Sequence, residues 1–320
     1  MKNVKMRSLL IGALSIVLAA SLASPAKAAK NGTVFLYETN PLSGFNSGVV
    51  GYNLVTNSTI GYLRSSGFGY YDNKRNWVQN TTFGSYKVTS NKATDFRVQY
   101  TVAPGRVWSD GTPITGVDLL LTHVILSREY AKAAGLGDWA AKEPLAFNSA
   151  GISSSTYSQF VAGDPIISSD EMSVTVRYKQ KFPDWWIRGF SAYPVHAWVH
   201  MSEGKTTLQS ASANEAAKER FYTAYKNKST ALLKEIGKIW STGFNITDVN
   251  AATTNPLLWV TNGGFNTVSA IKGQSVTLKA NPRYNSGPKM SGDIENIVMK
   301  FVSDGNPAIQ ALANGEIKRG

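Results

Sequence analysis

The chain contains three histidines and no cysteine. His196 and His200 stand four apart, so on a helix both imidazoles would share one face and could begin a zinc site. The pair lacks the glutamate of the H-E-x-x-H pattern, because Ala197 follows His196. His123 sits inside an apolar run and reads as structural. Without cysteine, covalent catalysis would fall to serine, threonine or lysine, and no G-x-S-x-G segment occurs to present a serine. Gly67-Phe68-Gly69 is a lone G-x-G with no phosphate loop after it. Paired carboxylates at glycosidase spacing are a three-dimensional property, and no local feature marks them here. The residues single out no catalytic group, no metal and no cofactor, and catalysis is not the leading expectation.

The scaffold around these residues is globular. The chain has 320 residues, 42% hydrophobic and 17% charged, which allows one large domain or two smaller ones and excludes a disordered chain. Eight Trp and 14 Tyr imply a large apolar core or a stacking surface. Residues 1–28 read as a secretory signal peptide. Lys2, Lys5 and Arg7 precede the run LLIGALSIVLAASLA, and Ala26-Lys27-Ala28 fits a small-x-small cleavage site. The run is short for a spanning helix and breaks at Ser24-Pro25. With no cysteine there is no lipid anchor of that kind, so the mature chain is expected in the periplasm or outside the cell. The formal charge is +12; four of the cations lie in residues 1–28, which hold no acid, leaving +8. Lysines and arginines are scattered, which argues against nucleic acid as a partner. A merely solvated surface and attraction to an anionic envelope surface both stay open.

Periodicity gives the elements that must position everything else. Residues 33–37, 96–102, 173–178, 265–271, 276–280 and 294–302 read as strands. Residues 40–44, 272–273 and 281–282 read as turns, 148–158 as a Gly/Ser-rich loop, and the stretch to about residue 76 as weak helix and loop. Helices are expected from Thr115 to about Ala134, after Pro183, over residues 213–240 and from Asn306-Pro307. Ahead of the first helix lies VWSDGTPITGVD, residues 107–118. Asp110-Gly111 supplies a reversal and Pro113 stiffens it. Thr115 caps the helix with Asp118 three residues on, and Trp108 anchors the turn to the core. This motif is expected to be structural.

The same stretch resembles the most recognisable segment of the extracellular solute-binding proteins of family 5, the oligopeptide-, dipeptide- and nickel-binding components of ABC importers. Trp108, Ser109, Asp110, Gly111, Thr112, Pro113, Thr115 and Asp118 fit its pattern, while Gly116 stands where alanine is more usual. PDWW at 183–186 with YPVHAWV at 193–199, the hairpin and Asn-Pro-x-Tyr turn within 261–289, and the segment from 294 to its Gly-Glu-Ile ending resemble further blocks in the same order. Gly264 and Phe265 replace the Pro and Tyr usual in the hairpin, and Lys318 stands where Asp is usual.

The resemblance implies an α/β, periplasmic-binding-protein-like two-lobed fold (type II, cluster C-like) that closes on its ligand. Residues 29–298 would form lobe one with an inserted subdomain, completed by strands from the far C-terminus. Residues 299–320 would begin lobe two, so the chain reads as truncated with the second lobe mostly missing. The implied role is a monomeric, exported binding protein without a cofactor, which takes peptide or another small solute to ABC importer permease subunits. Thr39, Asn40 and Pro41 after the first strand, and Gly264 and Phe265 near the hinge, are the implied ligand contacts; a plain turn role is equally open for each. One wall of a cleft is expected to bind peptide weakly. The alternative ligand is nickel, haem or an oligosaccharide, and the alternative class is a secreted cell-wall hydrolase or carbohydrate-binding module.

Overall fold

The first strand forms where the sequence expects it, and a loop and helix follow. The computed structural model describes residues 32–181, 185–186, 190–245, 248–288, 294–302 and 309–310. β1 (Gly32–Glu38) leads through the loop to α1 (Val55–Arg64), then to a short hairpin, β2 (Gly69–Tyr71) and β3 (Trp77–Gln79). β4 (Gly84–Lys92) and β5 (Asp95–Val102) make a longer hairpin. β4 has no counterpart among the expected strands. Ser85, Lys87, Thr89, Asn91 and Lys92 are all exposed, so it carries no apolar alternation. β5 alternates fully: Phe96, Val98, Tyr100 and Val102 are buried, and the residues between them face the other way.

The turn at Asp110-Gly111 launches α2 (Gly116–Leu126), which is buried through Ile125. Leu119, Leu120 and Leu121 are fully enclosed, each contributing about 1.5–3 kcal/mol by burial. The helix does not run on to Ala134. Ser127 ends it, and the Ser127 hydroxyl accepts the Tyr130 N–H at 3.1 Å, capping α3 (Arg128–Ala133). Residues 148–158, expected as loop, hold α4 (Gly151–Ser154) and α5 (Thr156–Phe160), the second capped by Ser155.

β6 (Ile166–Ile167) and β7 (Ser173–Tyr178) complete an antiparallel sheet of order β4-β5-β7-β6. α6 (Val195–Ser202) begins just after Pro194. The helix expected over 213–240 is divided into α7 (Ala211–Lys226) and α8 (Thr230–Lys238), with Lys228 between them at a φ of 51°. A π-helical turn, Ile239–Gly243, prolongs α8.

β8 (Val249–Asn250), β9 (Phe265–Ile271), β10 (Ser275–Ala280) and β11 (Ile294–Phe301) build the second large sheet, of order β1-β11-β10-β9-β8. β1 pairs with β11 in parallel, and the other pairs are antiparallel. The first and last described strands therefore lie side by side. The expected lobe boundary after residue 298 falls within β11, which continues to Phe301. The starts of the helices expected after Pro183 and at Asn306-Pro307, and all of residues 1–28, lie outside the described residues.

Candidate functional site

The motif at 107–118 is a junction. Trp108 is buried, its backbone N–H donates to Thr112 O at 2.8 Å, and its own carbonyl accepts the Gly111 N–H at 2.9 Å. Gly111 holds a φ of 95°, a region where a Cβ is strained, and its open side is filled by the Arg283 guanidinium. Asp110 Oδ1 accepts the Thr112 N–H at 3.0 Å, and Asp110 Oδ2 meets His196 Nε2 on α6 at 2.9 Å. Asn214 on α7 donates to Thr112 Oγ1 at 2.8 Å, and its Oδ1 lies 3.0 Å from His200 Nε2. Thr115 donates its N–H to Asp118 Oδ2 at 2.9 Å. That same oxygen holds Lys218 Nζ of α7 at 2.9 Å, and Lys218 also donates to Pro113 O. The Asp118 and Lys218 side chains are 0% and 3% exposed. Ser109 exchanges two hydrogen bonds with Thr261, which ties the turn to the segment entering β9.

His196 and His200 do share a helix, yet their Nε2 atoms go to Asp110 and Asn214. Among the described residues no three His, Asp or Glu side chains converge as a metal site. His123 is enclosed in α2, 2.7 Å from the Tyr157 hydroxyl and 3.3 Å from Asp164 Oδ1. Burial pushes its pKa down, against the opposing pull of Asp164. Its hydrogen bond, with help from Lys228, holds the Asp164 carboxyl at about 2.

The two implied ligand groups are not brought together. β9 runs in the same direction as β1 across the antiparallel β10, so Gly264 and Phe265 lie at the sheet end where β1 starts. Thr39, Asn40 and Pro41, all exposed, lie at the other end. Helix α1, about 15 Å long, spans the gap. Thr56 Oγ1 near its start donates to Asn40 O at 3.0 Å, and the Gly263 N–H donates to Arg64 O at its end at 2.9 Å. Phe265 is 4% exposed and belongs to the core, while Gly264 is half-buried.

Between the two ends lies a groove of about 470 Å³ that the sequence reading missed. Leu36 of β1 forms one wall, and Leu54, Val55, Ser58, Thr59 and Tyr62 of α1 and its approach form the other. The helix is mixed on both faces. It buries Thr56, Asn57 and Arg64 beside the core residue Ile60, and leaves Val55 79% and Tyr62 57% exposed. Asn57 is satisfied by Ser43 and Tyr52 O, and the Arg64 guanidinium lies over the rings of Phe45 and Trp259. The signal was present in the sequence as two apolar pairs, Leu54-Val55 and Tyr62-Leu63, eight positions apart and so close to one helical face.

No protein-family profile and no curated protein matches the chain. Solved structures do. A periplasmic EDTA-binding protein, EppA, matches over 91% of this chain and 43% of its own at 19% identity, with a TM-score of 0.58. The oligopeptide-binding protein AppA from Bacillus subtilis, in complex with a nonapeptide, matches over 91% and 44% at 15% identity and a TM-score of 0.56. The oligopeptide-binding protein from Thermus thermophilus, complexed with a pentapeptide, matches over 90% and 44% at 15% identity and a TM-score of 0.52. The fold is periplasmic-binding-protein-like. The chain spans less than half the length of these binding proteins. Its binding-protein fold is mixed α/β, and among the described residues no helix is long and apolar enough to cross a membrane.

Proposed function

We propose that this chain belongs to the exported substrate-binding component of an ABC importer and takes part in capturing peptides. The observation that carries the reading is the agreement of 90–91% of the chain with solved peptide-binding proteins. The groove along α1 supports it as a ligand surface. It is largely apolar, walled by a strand and a helix, and lined by Asn53, Ser58, Thr59 and Tyr62, whose polar atoms suit a peptide main chain. A different small solute, such as a nickel complex, haem or an oligosaccharide, is the second reading, favoured by the like fold of the EDTA-binding protein. Residues 29–298 act in this proposal as lobe one, and delivery to permease subunits follows capture.

Calorimetric titration of the purified chain with peptides, a nickel chelate, haem and an oligosaccharide tests the reading. Saturable heat with peptide alone supports it. Heat with another solute alone moves the assignment to the second reading, and none with any probe removes ligand capture from this chain. The intact mass of the protein from its own organism, set against 34.7 kDa for this sequence, tests the division into lobes.

A further inference from the structure

The outer face of the β4-β5-β7-β6 sheet carries an organised set of cations. Its inner face supplies Val98, Tyr100, Val174 and Val176 to the core. Alternation sends Lys87, Arg97, Gln99, Thr175 and Arg177 the other way. The register sets them in rows. Lys87, Gln99, Thr175 and Ile166 lie abreast, then Ser90, Arg97 and Arg177, then Lys92 and Asp95. Four cations thus face a single carboxylate.

Arg97 and Arg177 are direct cross-strand partners. Like charges in that relation oppose pairing. Asp95 offsets the repulsion in part, its Oδ1 accepting from the Nε of both guanidiniums at 2.9 Å. Both forks are thereby oriented, and their Nη groups make no hydrogen bond to the described residues. The side chains remain 44% and 55% exposed, so the donors are available to an outside oxyanion.

We propose that this face docks the chain on an anionic lipid surface, with headgroup phosphates taking the Nη donors of Arg97 and Arg177 and with Lys87 and Lys92 flanking them. Charge complementarity is the first argument. Shape is the second. Among the described residues no wall encloses the arginines, so a single free phosphate would stay largely hydrated, whereas a planar array of anions engages all four cations at once. Ile166 is the third, 67% exposed in the same row as Lys87 and placed to enter the headgroup region. The inference does not depend on the peptide reading.

Co-sedimentation of the purified chain with vesicles tests it. Mixed phosphatidylglycerol–phosphatidylcholine vesicles should bind the chain and phosphatidylcholine alone should not, with binding lost at high salt. Lys87→Glu with Lys92→Glu should lower partitioning by at least about tenfold, and so should Arg97→Gln with Arg177→Gln. Lys205→Glu with Lys234→Glu, exposed positions elsewhere, should change it less than about twofold. Equal loss in that control pair would overturn the proposal in favour of net charge alone. Equal binding to both vesicle types would overturn it outright. Tighter binding to soluble polyphosphate than to vesicles would replace the planar surface by a flexible polymer. Should the arginine variants fail to fold, the lysine pair decides, since Lys87 and Lys92 make no hydrogen bond or ion pair among the described residues.

Discussion

Asp110 Oδ2 lies 2.9 Å from His196 Nε2, with both side chains buried and 86 positions apart in the sequence. Removing the carboxylate leaves His196 without that partner and releases the Thr112 N–H as well. Asp110→Ala should therefore destabilise the chain by about 2–4 kcal/mol, and Asp110→Asn, which keeps the shape, by less. Urea unfolding of both variants checks the order; equal losses would show that shape contributes nothing.

Lys218 and Asp118 are a buried pair with almost no exposure. Breaking one side strands the other, so Lys218→Met should lose about 3–5 kcal/mol. Replacing both, as Lys218→Met with Asp118→Leu, should lose less than the sum of the single changes. A double-mutant cycle by chemical denaturation measures the difference.

Gly263 packs backbone against backbone. A Cβ there would fall on the main chain of Arg64 and Ser65. Gly263→Ala should destabilise by about 1–3 kcal/mol through forced displacement of α1, read as a lower unfolding temperature.

Acid should weaken the fold in two stages. His123 and His200 are both held below the ordinary histidine range chiefly by burial. Their unfolded forms therefore take up protons first, and stability falls as the pH drops below about 6.5. Asp164, held at about 2 chiefly by the His123 hydrogen bond, adds a further loss between about pH 4 and pH 2. The urea midpoint at pH 5.5 should lie below that at pH 7.5, and His123→Gln should narrow the gap.

Val55 and Tyr62 should be dispensable for folding and important for the groove. Val55→Ser with Tyr62→Ser should shift stability by no more than about 0.5 kcal/mol while reducing binding of an apolar dye. Under the proposed function, the same pair should weaken peptide binding in calorimetry. Unchanged peptide affinity would place the ligand elsewhere.

The turn at 107–118 is legible in the sequence because each residue there has a local conformational reason, from the reversal at Gly111 to the bond from Asp118 back to Thr115. β5, β7, β9, β10 and β11 are legible because one face of each is apolar. β4 is not, since an exposed strand has no reason to alternate. The break at Ser127 is hidden because one hydroxyl both follows an apolar helix and caps the next. α1 is only faintly legible for a different reason. Its buried polar side chains are satisfied by Ser43, Tyr52 and the Phe45 and Trp259 rings, partners that only the fold supplies. Phe265 follows plain strand alternation: it and Thr267 face inward.

The reach of the junction's bonds sets an order of events. Asp110 waits for His196, Asp118 for Lys218 and Ser109 for Thr261, at separations of 86, 100 and 152 residues. A chain growing from its N-terminus displays the turn long before any of these partners exists. Contacts at such separation are closed late and slowly. Consolidation is thus deferred until most of the polypeptide has been made, which under the proposed function would leave the chain unfolded long enough to be exported before it settles.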